Sequence, residues 1–241
     1  MFELLERQET AQLKEAISAA NNIVICAHKS PDGDAIGSTL AWKHFLQQQG
    51  KQNVKVCYPD ATPDFLQWLP GFKETLRYDR QTIQVKQAFN NADLVFYLDF
   101  GQSSRTEDMQ TVLDTCQAPI ILIDHHLQPK GNYLLQASFT QLSSTSEIIF
   151  NLIYQLGGYD NMTKACAECI YCGMMTDTGG FTYNSTRPEI FSIISLLLQK
   201  GIDKDNIYNK VFHNYSEHAL RLRSHIILNK MNYIENLHAS Y

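Results

Sequence analysis

The chain has 241 residues, of which 44% are apolar, and a formal net charge of −5 at pH 7. This length and apolar content allow a sizeable buried core, so they indicate a globular protein with one large domain, or one domain and part of another. The acidic balance argues against a broad cationic surface for long nucleic acid. A local pocket for a small anion is still compatible with it.

The sequence carries no signal for membrane insertion. No apolar run reaches the roughly 20 residues that span a bilayer. The N-terminal segment MFELLERQETAQLKEA is acidic and helical in pattern, unlike the basic start of a signal sequence. We therefore predict a cytoplasmic protein that does not bind a membrane.

Apolar runs and amphipathic segments alternate through the first part of the chain. In order, we predict helix 3–20, strand 22–27, helix 35–49, strand 53–58, helix 82–90, strand 93–100, helix 107–117, strand 119–126 and strand 133–138. Strands that are apolar on both faces and alternate with helices indicate a parallel sheet covered on both sides. The predicted fold is therefore α/β, with a parallel sheet of about five strands flanked by helices.

After residue 144 the sequence pattern predicts helices only. The predicted helices are 144–156, 163–175, 188–200, 203–213 and 216–236, with no strand among them. The last one is rich in polar residues and leads to a bare end at Tyr241, which is typical of a connector.

The six cysteines lie in apolar segments of a chain too long to need disulfide bonds, so we expect reduced thiols. They are Cys26, Cys57, Cys116, Cys166, Cys169 and Cys172. The spacing of the last three copies part of an iron–sulfur ligand pattern. Because it falls in a helical stretch and lacks a following Cys-Pro, packing between helices explains it better.

Acidic and histidine side chains recur where the predicted elements end. They are His28, Asp32 and Asp34 after the first strand, Asp99 at the end of the third, Asp124, His125 and His126 at the end of the fourth, and Asp177 at the end of a helix. Open α/β sheets build ligand sites at the carboxyl ends of their strands, so we expect these groups to converge. Carboxylates this close need cations, because like charges a few Å apart cannot all ionise. Such ligands favour Mn²⁺ first and Mg²⁺ second, with zinc or iron as alternatives.

These residues resemble the four motifs of the DHH phosphoesterase superfamily. The matching stretches are His28-x3-Asp32-x-Asp34-x2-Gly37-Ser38, the lone Asp99, the triplet Asp124-His125-His126, and Asp177 within TDTGG. The length, SSTSE at 143–147 and TDTGGF look most like the bacterial oligoribonucleases (nanoRNases) that also remove the 3′-phosphate of adenosine 3′,5′-bisphosphate. The resemblance covers essentially the whole chain. It implies a DHH catalytic domain at 1–214 and, at 215–241, a connector helix towards a C-terminal substrate-binding domain absent from this chain.

The resemblance also implies a site with two Mn²⁺ ions, for which Mg²⁺ or another divalent ion is an alternative. It assigns His28, Asp32 and Asp99 to one ion and Asp34, Asp99, His125 and Asp177 to the other, so that Asp99 bridges them. The implied catalytic residues are Asp99, His125, His126, which would face the substrate phosphate, and Asp124, which would orient a ligand histidine. Further candidates for phosphate contacts are Arg105, through its guanidinium fork, and Ser38, near a helix start that presents amide groups.

By resemblance, the protein is a Mn²⁺-dependent phosphoesterase that uses two metals to hydrolyse short oligoribonucleotides to mononucleotides, to remove the 3′-phosphate of adenosine 3′,5′-bisphosphate, or to do both. The alternatives among enzymes are hydrolysis of pyrophosphate or polyphosphate, cleavage of cyclic dinucleotides, and single-strand DNA exonuclease activity. The acidic balance disfavours long DNA. A homodimer stays open.

Simpler roles compete with these. The whole protein could be a non-catalytic, metal-dependent nucleotide-binding regulator. Asp32 and Asp34 could cap the following helix, and Ser144, Thr145 and Ser146 could cap the helix over 147–156. Arg105 could form a solvated ion pair.

Overall fold

The computed structural model of the protein describes residues 3–241. Its main sheet has six parallel strands in the spatial order β3-β2-β1-β4-β5-β6. The strands are β1 (Asn22–Cys26), β2 (Asn53–Tyr58), β3 (Leu76–Arg77), β4 (Leu94–Leu98), β5 (Ile120–Asp124) and β6 (Leu135–Ser138). The predicted parallel α/β sheet is confirmed.

Helices cover both faces of this sheet, as the apolar strands predicted. They are α1 (Arg7–Ala19), α2 (Gly33–Gln48), α3 (Thr82–Asn90), α4 (Gln110–Thr115), α5 (Thr145–Gln155), α6 (Lys164–Asp177), α7 (Pro188–Gln199), α8 (Lys204–Phe212) and α9 (Glu217–Asn229). Alternate residues of β4 enter two separate cores: Phe96 packs in the core that includes α2 and α6, and Val95 in the core that includes α3 and α4. No helix within residues 3–241 is long and apolar enough to cross a membrane.

The helices α2 and α6 are in very close contact. Gly37 makes this possible, because a Cβ atom there would lie 2.5 Å from the carbonyl oxygen of Cys169. Cys166, Cys169 and Cys172 are buried in this region, and burial raises the pKa of Cys166 and Cys172 to about 12. All six cysteines are free. The prediction that these three thiols are packing groups is confirmed.

Two predicted features differ from the structure. The sheet has six strands instead of about five, because β3 is only two residues long and too short to show a sequence period. The last helix ends at Asn229, not at 236, and a small antiparallel hairpin follows, formed by β7 (Tyr233–Ile234) and β8 (Ala239–Ser240). Asn229 and Asn232 are poor helix formers, and Asn232 exchanges two backbone hydrogen bonds with Tyr241 instead.

The segment from 213 to 241 packs less than the rest of the described chain. Ile234 is half-buried and all other residues of this segment are exposed, including Leu222, Leu228 and Leu237. The division into a catalytic domain at 1–214 and a connector at 215–241 stays a prediction.

Candidate metal centre and cleft

The candidate centre lies between β1 and β4, where the order in which the chain adds strands to the sheet reverses. From β1 the chain proceeds outwards to β2 and β3, and from β4 it proceeds the other way to β5 and β6. His28 follows β1 by two residues, Asp99 directly follows β4, and His125 directly follows β5. Since these strands are parallel neighbours, their carboxyl ends bring the three side chains to one edge of the sheet.

Asp99 occupies the middle of this group. Its Oδ2 lies 3.6 Å from Nε2 of His28, and its Oδ1 lies 3.6 Å from Nε2 of His125. The residue has a φ of 68°, a left-handed conformation that is uncommon for aspartate and turns the chain sharply after β4. The hydroxyl of Thr145 donates to Oδ1 of Asp99 at 2.9 Å. The Asp99 carboxylate therefore faces one histidine with each of its two oxygens.

Asp32 combines the two roles considered for it. Its Oδ1 accepts the backbone N–H groups of Asp34 and Ala35, both at 3.0 Å, so it caps α2 as the simpler interpretation predicted. Its Oδ2 lies 4.0 Å from Nε2 of His28. A capping aspartate uses only one oxygen, so the second stays available as a ligand.

Asp34 has a different role from that of a cap for its own helix. It is buried, and its two oxygens accept the backbone N–H groups of Thr145, at 2.6 Å, and Ser146, at 2.8 Å. These amides belong to the first turn of α5, whose positive end stabilises the carboxylate. Asp34 also lies 4.0 Å from Nε2 of His125.

The two adjacent histidines face different partners. Nε2 of His125 lies 3.5 Å from Oδ2 of Asp177. Nδ1 of His126 lies 2.8 Å from Oδ1 of Asp124, which raises the pKa of His126. Asp124 therefore orients the histidine predicted to face the phosphate; the resemblance had implied that it orients a ligand histidine.

The structure thus brings together the residues of both predicted ligand sets. Three groups offer donor atoms within 4.8 Å of one another: His28, Asp32 and Asp99; Asp34, His125 and Asp177; and Asp99, His125 and His126. The first two groups match the predicted division, with Asp99 placed to join them. Which of these donors bind metal stays a prediction.

The electrostatics of the cluster suit bound cations. Burial, together with the charges of Asp34 and Asp32, raises the pKa of Asp99 well above its usual value and that of Asp177 to about 7. Burial also raises the pKa of Asp34. Among the described residues, Oδ2 of Asp124 is buried and has no hydrogen-bond partner. Carboxylates destabilised in this way gain most from divalent ions, and the oxygen and imidazole donors fit Mn²⁺ or Mg²⁺.

A cleft of about 680 Å³ opens beside the cluster. Among its lining residues are His125, His126, Gln102, Arg105 and Lys130. No carboxylate within residues 3–241 pairs with Arg105, which argues against the ion-pair alternative for this residue.

Ser38 lies outside the cleft, contrary to the suggested phosphate contact. It is fully buried in α2, and its hydroxyl donates to the carbonyl oxygen of Ala35 at 3.3 Å. The first turns of α2, which the sequence indicated as a phosphate site, are instead packed against α6. Gly37 there lies against the backbone of α6, which leaves no space for a substrate.

The segment 143–147 contacts the carboxylates of the cluster, a role that neither its resemblance to the family nor its pattern as a helix cap had predicted. Ser144 does cap α5, accepting the N–H of Glu147 at 3.0 Å. Thr145 and Ser146 bind the carboxylates of the cluster, as described above, and buried Glu147 pairs with Arg187. The unusual polarity of SSTSE before an apolar helix was the available signal.

We expect Thr145→Val to weaken divalent-metal binding by about 10- to 100-fold, the usual effect of removing a hydrogen bond that orients a ligand. The valine keeps the shape but loses the donor to Asp99. Titration calorimetry with Mn²⁺ measures the change. Thr115→Val is the matched control, because Thr115 is exposed at the end of α4 and its hydroxyl donates to the backbone carbonyl oxygens of Thr111 and Val112. Equal affinities in the two variants would contradict the role of Thr145.

Comparison with known proteins agrees with the motifs. The model of the DHH family, N-terminal domain, matches residues 22–174. The chain therefore belongs to the DHH family. The bifunctional oligoribonuclease and PAP phosphatase NrnA of Thermus thermophilus is 32% identical over 181 residues, which are 75% of this chain and 50% of that protein. The chain thus spans about half the length of this curated relative.

Two other relatives carry different names. The cyclic-di-AMP phosphodiesterase GdpP of Bacillus subtilis is 28% identical over 234 residues, 91% of this chain and 34% of that protein. A crystal structure of an exopolyphosphatase-related protein from Bacteroides fragilis is 44% identical with a TM-score of 0.95, covering 99% of this chain and 69% of that one. The architecture is therefore shared with relatives that are named for different phosphate substrates.

Proposed function

We propose that the protein is a metal-dependent phosphoesterase that hydrolyses short oligoribonucleotides to mononucleotides, removes the 3′-phosphate of adenosine 3′,5′-bisphosphate, or does both. The observation that carries this proposal is the placement of Asp99, whose two oxygens face His28 and His125. The relative from Thermus thermophilus, named for both activities, supports the choice of substrates.

In this proposal, His28, Asp32 and Asp99 hold one divalent ion, and Asp34, Asp99, His125 and Asp177 hold a second. Mn²⁺ is the favoured ion, with Mg²⁺ as the alternative, because the donors are carboxylate and imidazole. Two such ions would supply Lewis-acid stabilisation of the phosphoryl oxygens and a water activated for attack on phosphorus.

The chain's own residues prepare the site for this chemistry. The backbone N–H groups of Thr145 and Ser146 each donate to one oxygen of the Asp34 carboxylate and hold it in one orientation. Nδ1 of His126 donates to Asp124, and this hydrogen bond raises the pKa of His126 and so favours its imidazolium form. In that form Nε2 also carries a proton, which it can donate to a phosphoryl oxygen in the cleft. His126 would thereby stabilise negative charge in the transition state.

Hydrolysis of pyrophosphate or polyphosphate is the second candidate. Its support is the 44% identity to a structure titled as exopolyphosphatase-related. Cleavage of cyclic dinucleotides has weaker support, from the 28% identity to a cyclic-di-AMP phosphodiesterase.

Substrate competition separates these candidates. With Mn²⁺ present, we expect turnover of adenosine 3′,5′-bisphosphate and of the dinucleotide pApA at higher kcat/KM than pyrophosphate or cyclic-di-AMP. Released phosphate and chromatography of the nucleotides measure the rates. Preference for pyrophosphate would favour the second candidate. Tight Mn²⁺ binding without turnover of any of the four would instead support the non-catalytic regulator.

A further inference from the structure

Two cationic side chains line the cleft without an acidic partner. They are Arg105 and Lys130, and no ion pair within the described range 3–241 includes either one. Some cations of the chain do have acidic partners: Lys29 pairs with Glu107, and Lys43 with Glu74. Arg105 and Lys130 are distinguished by their position, because they share the cleft with His125 and His126 and so face the same space as the candidate centre.

The backbone fixes Lys130 at this wall. Its N–H donates to the carbonyl oxygen of Gly101 at 2.6 Å. The hydroxyl of Tyr133 then joins both residues, with 3.0 Å contacts to the carbonyl oxygens of Gly101 and Lys130. A Cβ atom at Gly101 would lie 2.9 Å from Cα of Pro129, so the loop before Lys130 is pressed against the chain that leaves β4.

Arg105 is fixed to the same stretch. Its N–H donates to the carbonyl oxygen of Gln102 at 3.1 Å, and its own carbonyl oxygen accepts the N–H of Lys29 at 2.9 Å. Gln102 and Gly101 follow Asp99 by only a few residues. The backbone positions of both cations are therefore set relative to the central carboxylate, although their side chains stay free to adjust.

We propose that Arg105 and Lys130 bind a second phosphate group of the substrate, one that is not cleaved. This inference rests on the proposed function, which places the scissile phosphate beside His126. A guanidinium fork and an ammonium group are the donors that phosphate oxygens prefer, and a neutral substituent would leave both charges unmatched. The cleft volume of about 680 Å³ is sufficient for a nucleotide that spans both phosphates.

Two substrates carry such a group. In adenosine 3′,5′-bisphosphate it is the 5′-phosphate, and in a short oligonucleotide it is the 5′-terminal phosphate. Two matched pairs isolate its contribution: adenosine 3′,5′-bisphosphate against adenosine 3′-monophosphate, and pApA against ApA. Each pair has the same scissile bond and differs only in the second phosphate. The two ratios therefore also show whether the bisphosphate, the oligonucleotide or both gain from this phosphate.

The experiment compares the ratio of kcat/KM within each pair for the wild type, Arg105→Ala, Lys130→Ala and the double variant. We expect a wild-type ratio of about tenfold or more in at least one pair, because a charge-assisted hydrogen bond contributes on that scale. Each single variant should lower that ratio severalfold, and the double variant should bring it close to one. Lys130→Arg should retain it. Lys86→Ala, an exposed lysine on α3, is the matched control and should leave it unchanged.

A binding measurement keeps the inference separate from the activity. Titration calorimetry in EDTA compares the affinities of adenosine 3′,5′-bisphosphate and adenosine 3′-monophosphate. The acidic cluster repels the bisphosphate at least as strongly as the monophosphate, so tighter binding of the bisphosphate reports a favourable contact of its 5′-phosphate. A bisphosphate preference that disappears in the double variant, in a protein that with Mn²⁺ hydrolyses neither these ligands nor pApA, would overturn the proposed function but retain the inference. The inference would be overturned if the double variant kept the preference for the ligand with the second phosphate. It would also be overturned if the wild type showed no such preference in either the kinetic or the calorimetric assay.

Discussion

Asp99→Ala is expected to abolish phosphoester hydrolysis, with a loss of about a thousandfold or more in kcat/KM, because two metal ions contribute several kcal/mol to the transition state. Asp99 faces His28 and His125, one from each predicted ligand set, whereas each of the other carboxylates belongs to one set only. Its removal should therefore lower the number of tightly bound Mn²⁺ ions as well as the rate. Inductively coupled plasma mass spectrometry of the dialysed protein measures the ions.

Two further variants make this result specific. Asp99→Asn retains the size of the side chain, so a loss of activity at an unchanged melting temperature would reflect lost metal binding and not misfolding. Asp160→Ala removes an exposed carboxylate outside the cluster and should keep full activity. If Asp99→Ala kept both its rate and its bound ions, the assigned centre would be wrong and the activity would come from another site.

The sequence predicted the cluster because its members are tied to strand ends. His28, Asp99 and His125 each follow an apolar run within two residues, and parallel strands bring such positions to one edge regardless of the details of packing. The alternation of apolar strands and helices predicted the layers of the fold for the same reason. Local patterns were sufficient wherever the sheet itself sets the geometry.

Long-range contacts were beyond those patterns. The amides of Thr145 and Ser146 bind Asp34 across more than a hundred residues of sequence, and a local pattern showed only a helix cap. The choice of Asp124 between His125 and His126 depends on ring orientation, which the triplet does not encode. Ser38 failed as a phosphate ligand because its side chain is fully buried and its hydroxyl donates to the backbone of its own helix.

Gly37→Ala is expected to destabilise the fold, although alanine normally stabilises a helix interior relative to glycine by roughly 0.5–1 kcal/mol. The added Cβ would lie 2.5 Å from the carbonyl oxygen of Cys169 and 2.9 Å from the backbone nitrogen of Gly173. Both are backbone atoms of α6, so no side-chain rotation relieves the overlap and the helices must separate. Such overpacking costs about 1–3 kcal/mol, which lowers Tm by about 2–4 °C per kcal/mol in a chain of this size.

The separation of the helices should also reach the metal centre. Asp34 lies on α2 and Asp177 ends α6, so moving one helix from the other pulls apart two donors of the same group. We therefore expect Gly37→Ala to weaken Mn²⁺ binding even at temperatures where the variant is folded. Thermal melting and calorimetric titration measure the two effects, with Ser195→Ala on the exposed side of α7 as the control. A variant as stable as the wild type, with the same Mn²⁺ affinity, would show that the contact between α2 and α6 does not position the centre.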